Sequence, residues 1–560
     1  MRYREGSVKI NRKQLLLWST LSAILLLSFC IHIAGIQRKE SVDYHPDEWV
    51  LAKPIYEIAN EGQVGIKTHY KWSGCGFIYP VGYTLYFLKP IFKEYSYETI
   101  LRILRCLSAV ASVATILIVF LFLRCYHSIR AAYIGAVLLS ISPLPVIVGH
   151  YATLDSITVL IAMAVLFVSY QFFNLPDESH KTPIIKSFLL GALIGWGIAV
   201  KWTLMLSAIP LFIAFVSAFV SAVRKRKKKL FITAGIRKCV LLGFGLILGF
   251  LVFFPDVQFV PNKVKDGLDY EIKHHQTGHY GTVLSSSNKL DKKLQRTYRN
   301  FVECGWKIIA TVGLCSLVFV FFKRNPLKWY LFFVFLLWTY IPFRNLVSPA
   351  RHYLVPYVFL LLLLSLLLDY LLSYRNRYFL AAMYITGCAT ILISLLYTCV
   401  CISTFWQEDP RITCTKWMME NIPEGSGVIW APRTTNWMVP GVRIAPSLFK
   451  QFPRQPENGK DLYFLVSPST ASIFKKHPPT KKIVPSEWFP SQPPSQQELL
   501  FYYEVNQGGG LNIELVKKFF PTPRFLGLTL KAFFEYPHTD TTYASRSVYL
   551  FKLKIPPAKQ

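Results

Sequence analysis

Long apolar runs, separated by short basic patches, are the dominant pattern along the chain. A helix crossing a bilayer takes about 20 apolar residues. Eleven stretches reach or approach that length: 14–36, 104–123, 131–149, 156–176, 187–200, 203–222, 239–255, 306–322, 329–343, 353–373 and 378–404. The run at 353–373 contains FLLLLLSLLLDYLL and reads as a span without competition. Only Lys201 and Trp202 separate 187–200 from 203–222, so these two stretches are expected to form a hairpin with a very tight outer turn. The first stretch is too long for a cleaved signal and lacks a small-residue cleavage site, so it reads as an anchor. From residue 405 the pattern changes. A helical segment with a Pro/Gly stop precedes a strand at Gly427–Ala431, and DLYFLVS and SVYLFKLK alternate as further strands.

Composition sharpens this picture. Of 560 residues, 52% are hydrophobic and 17% charged, with a mean hydropathy of +0.34. Soluble domains carry about 25% charge, so disorder and a simple secreted enzyme are excluded. Lys and Arg number 62 against 31 Asp and Glu, a net charge of +31. Cationic residues mark cytoplasmic loops of membrane proteins. The basic patches are the N-terminal tail, Arg124 with Arg130, the RKRKKK run from Arg224 to Lys229, Lys323 with Arg324 and Lys328, and Arg375 with Arg377. If all are cytoplasmic, the spans alternate without conflict and the C-terminus emerges on the opposite face. The cytoplasmic segments then hold 22 Lys and Arg against 3 Asp and Glu, and the outer loops, with Arg105 and Lys307 at the edges of their spans, 21 against 15. The positive excess is therefore an orientation signal, and RKRKKK reads as a stop-transfer anchor with no nucleic-acid partner. The expected fold is mainly α. A polytopic membrane domain of about 11 transmembrane helices spans 1–404, with outer loops 37–103 and 256–305, and an extracytoplasmic α/β domain spans 405–560.

The eleven cysteines fall mostly inside apolar stretches, where they act as small hydrophobes. The chain has no zinc-spaced CxxC pair, no GxxxxGK[ST] and no GxSxG. It has no N-x-[ST] sequon either, which favours a bacterial inner or plasma membrane over the endoplasmic reticulum.

Candidate chemistry gathers on the outer face. The first outer loop opens with Asp43-Tyr44-His45-Pro46-Asp47-Glu48. Adjacent carboxylates past a proline suit the first turn of a helix, whose N-terminus favours negative charge. Acids are also common there for purely structural reasons. A very short outer segment, Gly149-His150-Tyr151-Ala152-Thr153-Leu154-Asp155, holds Asp155 close to the membrane surface, where an unpaired carboxylate is unfavourable. Asp155 could equally cap the helix that follows. Lys201 stands alone between apolar stretches, and Arg351 with His352 lies at the outer end of a long apolar helix. Each cation could be an interfacial anchor, or could neutralise an anion at that depth. His274, His275 and His279 resemble a metal cluster, but Gly278 argues against the helix that would align His275 with His279. Contact with substrate, or a plain loop surface, is the better reading of His279. The first loop also supplies Tyr70, Trp72, Phe77, Tyr79, Tyr83 and Tyr86, rings suited to stacking on a sugar. Carboxylates beside membrane-depth cations suit a substrate with an anionic headgroup and a lipid tail. A carboxylate can take the proton of an acceptor hydroxyl as it attacks a sugar carbon, while the cations stabilise a departing phosphate.

With these parts, the chain resembles a polytopic glycosyltransferase of the C type. It is similar to the lipid-carrier-dependent group that includes protein O-mannosyltransferases and the aminoarabinose transferase of lipid A. The matching stretches, in family order, are HPDE (45–48), FIYPVGYTLYFL (77–88), HYATLD (150–155), GIAVKWT (197–203), ARHYLVP (350–356) and DPRITCTKWMMENIPEGS (409–426). The resemblance implies transfer from a polyprenyl-phosphate-linked sugar to a protein, lipid or glycan hydroxyl on the outer side, with inversion at C1. It maps the acidic pair onto Asp47 and Glu48, with Asp47 as base, and the second-loop acid onto Asp155. It maps the phosphate-side cations onto Lys201 and Arg351. No cofactor is required by this chemistry. Some relatives hold a divalent metal with an acid in the first loop, but KWSGCGFIYP has none beside its aromatic residues, which leaves a metal open. A transporter would show paired repeats and small outer loops, and a non-catalytic scaffold has no need of the acidic outer loop. Both remain weaker readings.

Overall fold

The computed structural model describes residues 12–36, 45, 47–62, 74–174, 182–213, 216, 220, 228–277, 289–322, 325–345, 349–408, 410–430, 461–466, 513–519, 524–526, 528–529 and 548–553. Its first eight helices are α1 (Arg12–Ile33), α2 (Glu48–Glu61), α3 (Cys75–Phe92), α4 (Tyr97–Tyr126), α5 (Ile129–Ser140), α6 (Pro143–Gly149), α7 (Asp155–Asn174) and α8 (Thr182–Val200). Among the described residues, five helices are long and apolar enough to cross a membrane. Two bent pairs would raise that to seven, and Asp155–Tyr170, Ile185–Val200 and Trp202–Ile213 are apolar but shorter.

Local chemistry sets the ends and the bends. Ser96 and Ser128 each accept a hydrogen bond from the backbone N–H three residues on, capping α4 and α5. The stretch 131–149, expected as one span, breaks into α5 and α6 with a 62° bend. Pro143 begins α6 and has no N–H to continue the α5 ladder. The stretch 306–322 likewise follows Leu290–Gly305 across a 119° corner, where Trp306 takes a positive φ of 66°. The expected hairpin at Lys201 is not a pair of abutting α-helices. Extended Lys201 ends α8, and a 3-10 turn, Trp202–Ser207, follows before the helix resumes.

The helix Leu354–Leu371 is buried along nearly its whole length and forms the centre of the bundle. Against α8 lies the helix Lys228–Phe253. A Cβ at Gly191 or Gly195 would run into the backbone of Leu242 or Leu246, and one at Gly245 or Gly249 into that of Phe188 or Ala192. Two small-xxx-small pairs therefore let the backbones touch, the usual way helices associate in lipid. At the end of the bundle where α4 gives way to α5, Asp369 binds Arg130, His127 (3.0 Å) and Ser128 (3.0 Å), tying this turn to the central helix.

Among the described residues of the tail, the helix Pro410–Asn421 precedes six strands: β1 (Gly427–Trp430), β2 (Leu462–Val466), β3 (Ile513–Phe519), β4 (Arg524–Phe525), β5 (Leu528–Thr529) and β6 (Val548–Leu553). Four form a sheet in the order β1-β2-β6-β3, with β1 parallel to β2 and β6 antiparallel to both its neighbours. Met418 of the helix and Ile422 just beyond it share a core cluster with Val428, Leu465 and Leu550 of the sheet. The three strand expectations thus coincide with β1, β2 and β6.

Candidate functional site

Four separate elements bring Asp47, Arg351, Asp155 and Lys201 together. Asp47 is the N-cap of α2, immediately before the first turn in which the sequence placed it. Its side chain is 52% exposed and accepts a hydrogen bond from Arg351 Nη2 at 3.1 Å. Arg351 lies in a 3-10 turn, Ala350–Tyr353, leading into the central helix. Its Nη1 lies 3.1 Å from His45 Nε2, and the Asp47 backbone N–H donates to His45 Nδ1 at 3.1 Å. Arg351 Nε also approaches Asp155 Oδ2 at 4.0 Å. Asp155, the first residue of α7, is buried and accepts from Lys201 Nζ at 2.6 Å. The result is an alternating array, Asp47–Arg351–Asp155–Lys201, open to solvent at Asp47. The extended break at Lys201 lets the side chain turn toward Asp155 instead of snorkelling outward.

Glu48, next in sequence to Asp47, faces the opposite way. It is fully buried, bonded through both oxygens to Arg105 at 3.1 and 2.6 Å, and accepts the Ala152 backbone N–H at 2.7 Å. A charged pair at such depth needs this degree of satisfaction. Glu48 therefore joins α2, α4 and the short HYATLD segment, and fixes Asp47 and Asp155 relative to each other.

The remaining candidates separate. His150 is buried, its ring nitrogens 2.9 and 3.0 Å from the carbonyls of Val146 and Ala34, and it stacks on Phe405 with centroids 4.3 Å apart. It packs within the bundle and not in the open array. Tyr79 is also buried and donates to Asp256 at 2.6 Å, beside Cys75 at 3.4 Å. His352 lies next to Arg351 in the 3-10 turn, partly buried. His279 falls outside the described residues.

Three residues were missed in the sequence. Arg105 lies in an apolar run, where a charge is itself a pointer to function or pairing. Asp256 and Glu271 were two acids among many in the second long loop, with no motif to single them out. Glu271, in the helix Pro261–Thr277, is pushed up to about 7 by burial, then by the charge of Asp47, against the opposing pull of Lys201.

Among the described residues, no group of three or more His, Cys, Asp or Glu side chains could hold a metal ion. Asp47 and Asp155 already face cations, a donor set poorly suited to a divalent metal.

Residues 96–251 match the family model of dolichyl-phosphate-mannose-protein mannosyltransferase. No curated protein matches the chain in sequence. Among solved structures, the Archaeoglobus fulgidus oligosaccharyltransferase tethered to an acceptor peptide is similar at 14% identity and a TM-score of 0.52, over 82% of this chain and 70% of that one. The same organism's AglB, in complex with an inhibitory peptide and a dolichol-phosphate, is similar at 15% identity and 0.50, over 80% and 61%. ArnT from Cupriavidus metallidurans bound to undecaprenyl phosphate aligns at 13% identity and 0.49, over 85% and 96%. The resemblance to lipid-carrier-dependent glycosyltransferases of the C type is thereby borne out: a family domain in the first half, and a shared fold over most of the chain.

Proposed function

We propose that the protein moves a sugar from a polyprenyl-phosphate carrier to an acceptor hydroxyl on the outer face of the membrane. The observation that carries this reading is the array Asp47–Arg351–Asp155–Lys201, two carboxylates interleaved with two cations. The acceptor oxygen attacks C1 of the sugar, its proton passes to Asp47, and the bond from C1 to the phosphate oxygen breaks with its electron pair. Lys201 and Arg351 stabilise the phosphate that leaves. A phosphate needs no general acid to depart. Because Arg351 pairs with Asp47 in the free enzyme, a donor phosphate that draws the guanidinium away also frees Asp47 to accept the proton. Asp155 is a positioning residue that holds both cations, and Glu48 anchors the turn through Arg105 and Ala152. Attack opposite the leaving phosphate in one displacement inverts C1. Buried Asp256 and Tyr79 hold α3, with the stacked Tyr83 (6.0 Å) available to a sugar ring.

The membrane-embedded part, 1–404, carries the reaction, and the 405–560 segment faces the same outer side as an α/β domain that meets the acceptor. The N-terminus is cytoplasmic in this topology, in a bacterial inner membrane. The test is transfer by the purified chain in vesicles, supplied with polyprenyl-phosphate sugars and hydroxyl acceptors. An inverted anomer in the product supports single displacement, and a retained anomer rejects it. Transport of the intact lipid-linked sugar without bond cleavage would favour the transporter reading.

A further inference from the structure

Asp256 is a buried carboxylate held by neutral groups alone. It is 3% exposed, and a single oxygen, Oδ2, takes both of its hydrogen bonds, from the Tyr79 hydroxyl at 2.6 Å and the Cys75 thiol at 3.4 Å. Among the described residues, Oδ1 accepts no hydrogen bond and no cation pairs with the side chain. Two neutral donors on one oxygen compensate a buried charge only in part, and an open buried acceptor costs free energy. Such a group suits a ligand that brings a donor of its own. Tyr83, one turn beyond Tyr79, stacks on it with centroids 6.0 Å apart and 14° between the planes. Its ring is partly buried, and its hydroxyl makes no hydrogen bond among the described residues.

Direct contacts place this carboxylate level with the array. α8 and the helix Lys228–Phe253 run parallel, Gly191 against Leu242 and Gly195 against Leu246. Their outer ends therefore finish together, with the ring of Trp202, next to Lys201, 6.2 Å from that of Phe254. The start of α3 bridges the two ends. Gly74 N donates to Val200 O at 3.0 Å, Trp196 Nε1 donates to Gly76 O at 2.6 Å, and Cys75 between them reaches Asp256. A Cβ on Gly74 would lie 3.3 Å from the side chain of Leu154, the neighbour of Asp155. Through Gly74–Gly76, Asp256 is thus linked to the residues beside both Lys201 and Asp155. We infer that Asp256 is a specificity-determining residue whose Oδ1 accepts a ring hydroxyl of the transferred sugar, with Tyr83 against the sugar's apolar face, while Lys201 and Arg351 hold the donor phosphate. This rests on the reading of the array as a lipid-phosphate sugar site. Oδ2 stays with Tyr79 and keeps α3 in place. A hydroxyl bonded to a buried carboxylate is held by a charge-assisted hydrogen bond, whereas an acidic sugar would meet like charge.

The experiment uses the full chain in lipid nanodiscs, with polyprenyl-phosphate mannose, glucose, galactose and arabinose as donors. The donor transferred fastest is the parent, and it is compared with monodeoxy analogues that each lack one ring hydroxyl. In the wild type, at least one analogue should show a kcat/KM about tenfold or more below the parent, because the carboxylate is left without its donor. Asp256→Asn should bring that ratio below about threefold, slowing the parent while leaving the deoxy donor nearly as it was. Tyr79→Phe keeps the carboxylate and should keep the ratio, whatever its effect on the overall rate. A purely structural Asp256 slows every donor alike, so an unchanged ratio in Asp256→Asn overturns the inference. A wild type that uses all analogues within about threefold of the parent also overturns it, and leaves the donor class standing. If Asp256→Asn does not fold, Tyr79→Phe/Asp256→Asn, which removes both ends of the buried hydrogen bond, is read in the same way. Failure of the wild type to bind or transfer any of these donors overturns the donor class and the inference with it.

Discussion

Removing Arg105 isolates one buried charge and so tests the frame on which the site is built. The Arg105 and Glu48 side chains are 3% and 0% exposed, and Glu48 accepts two hydrogen bonds from the guanidinium and one from Ala152 N. Arg105→Leu leaves a buried carboxylate that keeps the Ala152 N–H but loses both guanidinium hydrogen bonds. Breaking one side of a buried pair costs about 3–5 kcal/mol, because the remaining charge is uncompensated. Replacing both partners with apolar groups of similar size removes that penalty, so Arg105→Leu/Glu48→Leu should recover at least half of the loss. The assay is a double-mutant cycle by equilibrium unfolding in mixed micelles, with circular dichroism as the readout. Transfer activity should fall in both variants, since Asp47 follows directly from the turn that Glu48 anchors. A loss below about 1 kcal/mol in Arg105→Leu, or a double variant no more stable than the single, would refute the claim that this pair is buried and mutually required.

Further predictions follow from the same contacts. Gly195→Leu forces a side chain into the backbone of Leu246. It should destabilise the bundle by about 2 kcal/mol or more, whereas Gly387→Ala, with nothing within 4 Å of the added Cβ, should be neutral or stabilising by up to about 1 kcal/mol; the same unfolding assay compares them. Lys201→Ala should lower transfer by about a hundredfold or more and raise the apparent KM for the lipid-linked donor more than that for the acceptor. Equal effects on both would argue against phosphate contact. Asp369→Asn, far from the array, should cost about 1 kcal/mol, discounted because the Arg130 side chain is 44% exposed, and should leave the transfer rate per folded molecule unchanged.

The membrane-embedded character of the chain was legible because hydrophobic length is a one-dimensional signal. The bends were not. Pro143 and Trp306 lie inside or at the edge of runs whose hydropathy does not change, and only backbone geometry reveals the corners there. The catalytic candidates Asp47, Asp155, Lys201 and Arg351 were legible because isolated charges at the membrane edge require partners, and the fold makes them each other's partners. The residue pattern alone did not separate Glu48 from Asp47; only the family resemblance favoured Asp47 as base. Adjacent residues on a helix point about 100° apart, so one faces solvent and the other the interior. His150 stood in a matching motif but serves as packing against Phe405. That contact joins residues more than 250 positions apart in sequence. Asp256 and Glu271 acquire meaning only when the second outer loop folds back over the first.

The most direct measurement is the transfer rate of Asp47→Asn in vesicles, with a polyprenyl-phosphate sugar the wild type uses. Asparagine keeps the shape and can still accept from Arg351, but cannot take the acceptor proton. The account predicts loss of transfer by about a thousandfold or more, with donor binding and unfolding stability close to wild type. Transfer retained within about tenfold, with normal folding, would contradict Asp47 as the base.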